Sequence, residues 1–159
     1  MGERASPASK LPHKEGTWFA VPLRTGGYAV GVVARASGPI VFGYFFGPEC
    51  ERVPDSRAVM LHRPQGAVWR GMLGALGLIN GAWPVIGQSV TWSREDWPLP
   101  EFVRVDALAG RAWKVTYSDD LNRVSETECD PCLAQSHPDD GVYGYGAVEI
   151  VLTRLLRSS

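Results

Sequence analysis

Cys129 and Cys132 form a Cys-x-x-Cys pair with His137 five residues further on, and Cys50 would complete a four-ligand set of the kind that holds tetrahedral zinc. Structural zinc sites draw on two closely spaced pairs, whereas Cys50 stands alone about eighty residues upstream, beside Gly47 and Pro48. The spacing therefore reads as loop thiols beside an acidic tract, with no metal and no cofactor expected. A thioredoxin-like role is not supported either, because the pair does not end a strand that opens a helix in a βαβ context. Nucleophilic catalysis needs a nucleophile, a base and an orienting group that converge. His13, His62 and His137 are the available imidazoles, His13 in a polar lead-in and the other two in turn-like surroundings, so all three read as surface histidines. The carboxylate pairs Glu95–Asp96 and Asp119–Asp120 are adjacent in sequence, which on a strand sends them to opposite faces, so they read as solvated turns. No catalytic residue is assigned, and the chain is not read as an enzyme.

Two groups of side chains point to binding instead. Of the six tryptophans, Trp18, Trp69 and Trp113 sit in apolar periodic runs and are expected in the core. Trp83, Trp92 and Trp97 occur in a stretch rich in proline and glycine, where they either cover the open end of a sheet or stand exposed as interface anchors. Charge supplies the second group. Sixteen Lys/Arg against seventeen Asp/Glu give a net charge of -1, a total that does not indicate nucleic acid as partner. Residues 119–140, however, hold only Arg123 against Asp119, Asp120, Glu126, Glu128, Asp130, Asp139 and Asp140, a local charge of -6, while residues 1–118 carry +4. Such a tract is either a solvated loop or a surface that attracts a basic partner and speeds encounter.

The elements that must position these residues are short. A composition of 45% apolar and 21% charged residues belongs to a chain with a real core, and 159 residues suit one domain. Eighteen glycines, twelve prolines and sixteen aromatic residues favour many turns around rigid side chains, hence strands over long helices. Residues 1–15 lack periodicity and read as a mobile lead-in, with the domain expected over 16–159. TWFAVPL (17–23), YAVGVVARA (28–36) and IVFGYFF (40–46), separated by glycine-rich turns, predict a three-stranded meander. Gly31 and Gly43 inside these strands suggest bulges or tight coiling. AVML (58–61) reads as a further short strand. Val68, Trp69, Met72, Leu73, Leu76 and Ile79 recur at three- and four-residue spacing, which predicts a central helix. FVRVD (102–106) and AWKVTY (112–117) predict a hairpin, 123–128 a polar strand, and 148–156 a terminal helix. The fold class expected is α+β, with a curled antiparallel sheet forming an SH3-like partial barrel, one central helix and one C-terminal helix. The polar opening and the lack of any run near the ~20 apolar residues of a membrane span place the chain in the cytoplasm, with no membrane partner.

The blocks GTWFAVPLRTGGYAVGVVAR (16–35), FGYFFGP (42–48), GLINGAWPVIG (77–87), WSREDWPLPEFVR (92–104) and WKVTYSDD (113–120) together resemble the bacterial polymorphic-toxin immunity family numbered twenty-six. The resemblance covers about two thirds of the chain and rests on the placement of glycine, aromatic residues and proline. It implies a small cytosolic protein that binds a cognate toxin domain and stops it harming its producer or kin, and it carries over no catalytic residues. The three cysteines and the acidic tail after Asp120 lie outside the matching blocks. The expected interface has Trp92 and Trp97 as short-range anchors, with Asp119, Asp120, Glu126, Glu128 and Asp130 as a charged rim. A small β-barrel recognition module for nucleic acid or peptide, built on Tyr28, Tyr44, Arg24 and Arg35, is the alternative, and a hydrolase centred on His62 or His137 is a third reading.

Overall fold

The computed structural model describes residues 11–157. Three strands follow one another as a meander, β1 Thr17–Pro22, β2 Tyr28–Ser37 and β3 Ile40–Cys50. Strand β4 Trp69–Gly74 adds beside β3, β5 Val85–Gln88 pairs on the far side of β1, and the two-residue β9 Val142–Tyr143 joins β4 in parallel. The result is a six-stranded sheet in the order β5-β1-β2-β3-β4-β9. Strands β6 Phe102–Asp106, β7 Arg111–Tyr117 and β8 Arg123–Cys129 form a separate antiparallel sheet. The α+β class and the partly curled sheet stand as expected. The sheet is not closed into a barrel, because β5 and β9 are its open edges.

Both faces of the large sheet are covered, and the alternation of side chains in its strands shows how. Phe19, Val21, Val33, Val41, Phe45 and Leu73 point to one face and pack with Val148, Leu152 and Leu156 of helix α3 Tyr145–Arg157. Trp18, Val32, Phe42, Tyr44, Phe46 and Met72 point to the other and pack with Phe102 and Val115 of the small sheet. Helix α3 therefore anchors three apolar side chains, each contributing about 1.5–3 kcal/mol on burial. It also carries the buried Glu149, whose carboxylate accepts from the indole nitrogen of Trp83 (2.9 Å) and from Arg24 (3.1 Å).

Two local expectations are corrected. The run 68–79 is not a central helix but strand β4 followed by a single turn, α2 Leu76–Ile79. The strand is buried on both faces, so consecutive apolar residues are required and the spacing of a half-buried strand is lost. The run 58–61 is likewise no strand. Asp55 caps a one-turn helix, α1 Ser56–Val59, by accepting from the Ala58 N–H (2.9 Å). Gly43 does face a bulge, since it pairs with Val33 and the β2–β3 register shifts between Val33 and Arg35, whereas Gly31 lies in a regular stretch of the pair. At Gly31 an added Cβ would stand 2.6 Å from the ring of Phe19 and 2.9 Å from that of Phe45, so glycine makes room for two aromatic rings.

Candidate functional site

The loop that carries Trp92 and Trp97 is fixed from beneath by one cation. Arg35, on β2, is 3% exposed. Its guanidinium donates to the carbonyls of Ala34 (2.7 Å), Trp97 (3.0 Å) and Arg94 (3.4 Å), and pairs with Asp119 (2.8 Å). Tyr44 adds a hydrogen bond from its hydroxyl to the Pro98 carbonyl. Pinned at these points, the loop lays Trp97 into the second core, edge-on to Trp18 (5.7 Å) and Tyr44 (5.3 Å). Trp97 is 4% exposed, so it is a core residue and not an accessible anchor. Trp92 stacks on it at 5.3 Å with an interplanar angle of 12°, half-buried, and its indole N–H meets no acceptor among the described residues. Trp18 and Trp83 are also core, whereas Trp69 and Trp113 are half-buried.

The acidic tract is spread over the molecule and largely met by arginines of the body. Asp119 pairs with Arg35 and, at 3.4 Å, with Arg94, which also grips Glu15 at 2.7 Å. The Arg35 hydrogen bond holds the Asp119 carboxyl below the usual carboxylate range. Glu126 and Glu128 share one face of β8. Glu126 pairs with Arg104 and with Arg123 (3.5 Å), and Glu128 with Arg111 (2.8 Å), which lowers the Glu128 pKa. The register aligns Arg104, Trp113 and Glu128 in one row, and the guanidiniums of Arg104 and Arg111 lie over the Trp113 ring at 4.6 and 5.2 Å. Asp130 caps the 3-10 turn Pro131–Gln135 by accepting from the Cys132 N–H (2.9 Å), which lowers its pKa. Asp140 accepts from the Tyr117 hydroxyl and lies 3.5 Å from Arg123. Asp120 is exposed on the turn after β7. The expected rim residues are thus not brought into one uniform acidic patch.

The remaining candidates have other tasks. His13 is buried at 6% exposure with Nε2 2.9 Å from the Gly38 carbonyl, which corrects its assignment to the surface. His62 stacks on Phe46 at 4.4 Å, and its burial holds its pKa below the ordinary value. Nδ1 of His137 lies 2.9 Å from the Leu133 carbonyl. Cys50, Cys129 and Cys132 are free thiols, the last with its pKa raised by a hydrogen bond to Asp130. Among the described residues no three His, Cys, Asp or Glu side chains gather so as to hold a metal ion. Tyr44 and Arg35 are buried, so the nucleic-acid platform drawn from Tyr28, Tyr44, Arg24 and Arg35 is not on the surface. No helix among the described residues is long and apolar enough to cross a membrane.

Sequence reasoning missed Arg35 as the keystone of this region. The signal was present, since an arginine inside the run YAVGVVARA must find several acceptors if that strand is buried on both faces. Which carboxylate it would meet was not legible, because Asp119 lies 84 residues away.

No curated protein and no solved structure matches the chain. A family model described as Immunity protein 26 matches residues 14–114, a span that holds β1 to β6, the Arg35-pinned loop and both stacked tryptophans. With well over half of its length matched, the chain belongs to the immunity protein 26 family.

Proposed function

We propose that this protein acts in the cytoplasm as an immunity protein that neutralises a cognate toxin domain by stoichiometric binding, without catalysis. The observation that carries the reading is its membership of an immunity family over residues 14–114. The side chains available for contact support it. Trp92 is partly exposed above the buried Trp97, and Asp120 on the turn after β7, Glu126 and Glu128 on β8, and Asp130 just after β8 are exposed. In this reading the four carboxylates form a charged rim for a basic part of the toxin. Trp97, from the core, and Asp119, from the surface through Arg35 and Arg94, hold the Trp92 loop in place.

The test is co-expression with the toxin domain encoded beside this gene. Cells should survive only when this chain is present, and the purified pair should elute as a 1:1 complex by light scattering. Toxicity that persists in the presence of this chain, or protection at far less than one chain per toxin accompanied by a covalent change in the toxin, would overturn the reading.

A further inference from the structure

An open sheet edge is a row of main-chain N–H and C=O groups able to pair with another strand, and folded chains shorten, cover or charge such edges. Most edges of this molecule are managed in that way. Strand β9 has two residues, and β5 has four, with Ser56 of α1 close against it at Gly87. Beyond β9, the rest of β4 faces residues 135–139, where Arg70 donates to the Ser136 carbonyl (3.4 Å). The outer edge of β6 is taken by the segment before β9, since Val103 donates to the Pro138 carbonyl (3.0 Å) and accepts from the Asp140 N–H (3.1 Å). Strand β8 is the exception. It runs for seven residues, Arg123–Cys129, pairs with β7 alone, and is exposed from Arg123 to Glu128. It holds no proline or lysine, and its one bulge falls at its start.

Which groups β8 leaves free follows from the register. Successive residues of a strand turn their N–H and C=O to opposite sides. Val103 turns both outward, so Phe102 and Arg104 bond to their partners Val115 and Trp113. The alternate residues of β7, Lys114 and Thr116, then bond to Thr127 and Ser125 of β8. Glu126 and Glu128 therefore turn their N–H and C=O away from β7, and among the described residues no main-chain group meets them.

The charge around this edge selects its occupant. Arginines already pair with the Glu126 and Glu128 side chains, but Asp120, in the turn before β8, and Asp130, just after it, form no salt bridge among the described residues. Residues 101–140 hold four Lys/Arg against nine Asp/Glu, a charge of -5. A second copy of β8 fits poorly. The antiparallel register that pairs all seven residues sets Glu126 opposite Glu126 of the other copy, and like charges directly opposite destabilise a sheet. A basic strand meets no such conflict.

We propose that β8 is the docking edge for the toxin, and that an extended, basic segment of the toxin adds to the small sheet as its fourth strand. That segment bonds to the main chain of Glu126 and Glu128 and brings Lys or Arg near Asp120 and Asp130. The assignment rests on the immunity reading and deepens it. Main-chain hydrogen bonds supply the affinity of such strand addition, and the flanking charges supply the choice of partner. Strand β8 begins after the segment that matches the immunity family, so the edge is not part of the matched pattern.

The probe is the toxin domain encoded beside this gene, with binding followed by surface kinetics and by amide hydrogen exchange. Glu128→Pro removes an outward N–H and no bond to β7, a position at which an edge strand tolerates proline. Glu128→Gln loses the same ion pair with Arg111 but keeps the N–H. The proline variant should bind roughly tenfold or more weakly, and the glutamine variant less than about threefold, with the two melting together. Glu126→Pro and Glu126→Gln form a second such pair. In the free wild-type chain the Glu126 and Glu128 amides should exchange fast and those of Ser125 and Thr127 slowly, and in the complex all four should be slow. This exchange pattern needs no variant, so it decides the matter where a proline variant melts early. If the wild-type chain protects and binds but the Glu126 and Glu128 amides stay fast, or the proline variants bind like the glutamine ones, β8 is not the docking edge and the immunity reading stands. If the toxin segment that becomes protected lacks Lys and Arg, the assignment of a basic strand falls. If the chain alone is a dimer in which these two amides are already slow, the edge belongs to a second copy and the proposal falls. Absence of both binding and protection by the wild-type chain would remove the reading and the docking edge with it.

Discussion

At Arg35 a charge buried on a strand is made tolerable by four acceptors on three segments that are distant in sequence. Arg35→Met removes the charge but leaves the Ala34 and Trp97 carbonyls facing an apolar side chain. An unmet buried acceptor costs about 1–3 kcal/mol, so the variant should lose about 2–4 kcal/mol in urea unfolding. Asp119→Asn should lose under about 1 kcal/mol, because Asp119 is half-exposed and water replaces part of its pairing. Equal losses would mean that the ion pair, and not the carbonyl contacts, fixes the loop. His62 carries a pH dependence of definite sign. In the folded chain, burial against Phe46 keeps its pKa below the ordinary value of about 6.5, to which it returns on unfolding. The unfolded state therefore takes up the proton first as pH falls. The stability that His62 contributes is complete above about pH 6.5 and declines below it, through the folded pKa. His62→Phe keeps the stack and cannot titrate, so its melting temperature should fall less than that of wild type between pH 7 and pH 5. Parallel curves would show that His62 is not the source.

At the scale of elements, Gly31 decides how β1, β2 and β3 close on each other. Its partners in register are Phe19 and Phe45, whose rings occupy the space that a side chain would need. Gly31→Ala should therefore destabilise by about 1–3 kcal/mol through overpacking, although alanine suits a strand better than glycine. A stability equal to wild type would show that the two rings can part at little cost. On β8, Glu126 and Glu128 are already matched by arginines, so the charge that a distant partner senses there is small. Changing Glu126 and Glu128 to Gln and Asp130 to Asn should slow toxin association and flatten its salt dependence, by no more than about threefold at physiological ionic strength, where screening acts within about 8 Å. A tenfold effect would make the rim the dominant contact.

The hairpins were legible because their turns are glycine-rich and their strands are bounded by clear breaks, and α3 because its apolar residues share one face. Strand β4 was not, since Met72 and Leu73 serve opposite cores and a strand buried on both sides has no alternation to read. The binding surface was legible only in part. Trp92 and Trp97 stand out together in a proline-rich loop, but which of the two is covered depends on the long-range Arg35 contacts, which sequence spacing does not encode.

For the whole molecule, the matched segment ends within β7 and the cores do not. Val148 and Leu152 of α3 are fully buried in the first core, and Val115 in the second. A chain cut before α3 loses the cover of one face of the large sheet and should bind a hydrophobic dye and lack a cooperative thermal transition. At the other end, the lead-in reading extends through residue 15, but contacts with the body already begin at His13. Its ring reaches the Gly38 carbonyl (2.9 Å), Glu15 pairs with Arg94, and the Glu15 carbonyl accepts from the Gln88 side chain (2.8 Å). Residues 1–10 lie outside the described part of the chain, and their sequence has no apolar periodicity to tie them to a core. Deleting 1–10 should therefore leave stability within about 0.5 kcal/mol of wild type, as for ordinary surface changes. Deleting 1–15 removes the three contacts, leaves Arg94 with Asp119 alone and strips one layer from the loop that positions Trp92. That deletion should cost about 1–3 kcal/mol, at roughly 2–4 °C of melting temperature per kcal/mol for a chain of this size, and should weaken toxin binding through the loop. Two deletions that melt together at the wild-type temperature would return the boundary to residue 15 and show that the Glu15–Arg94 clamp does not hold the loop.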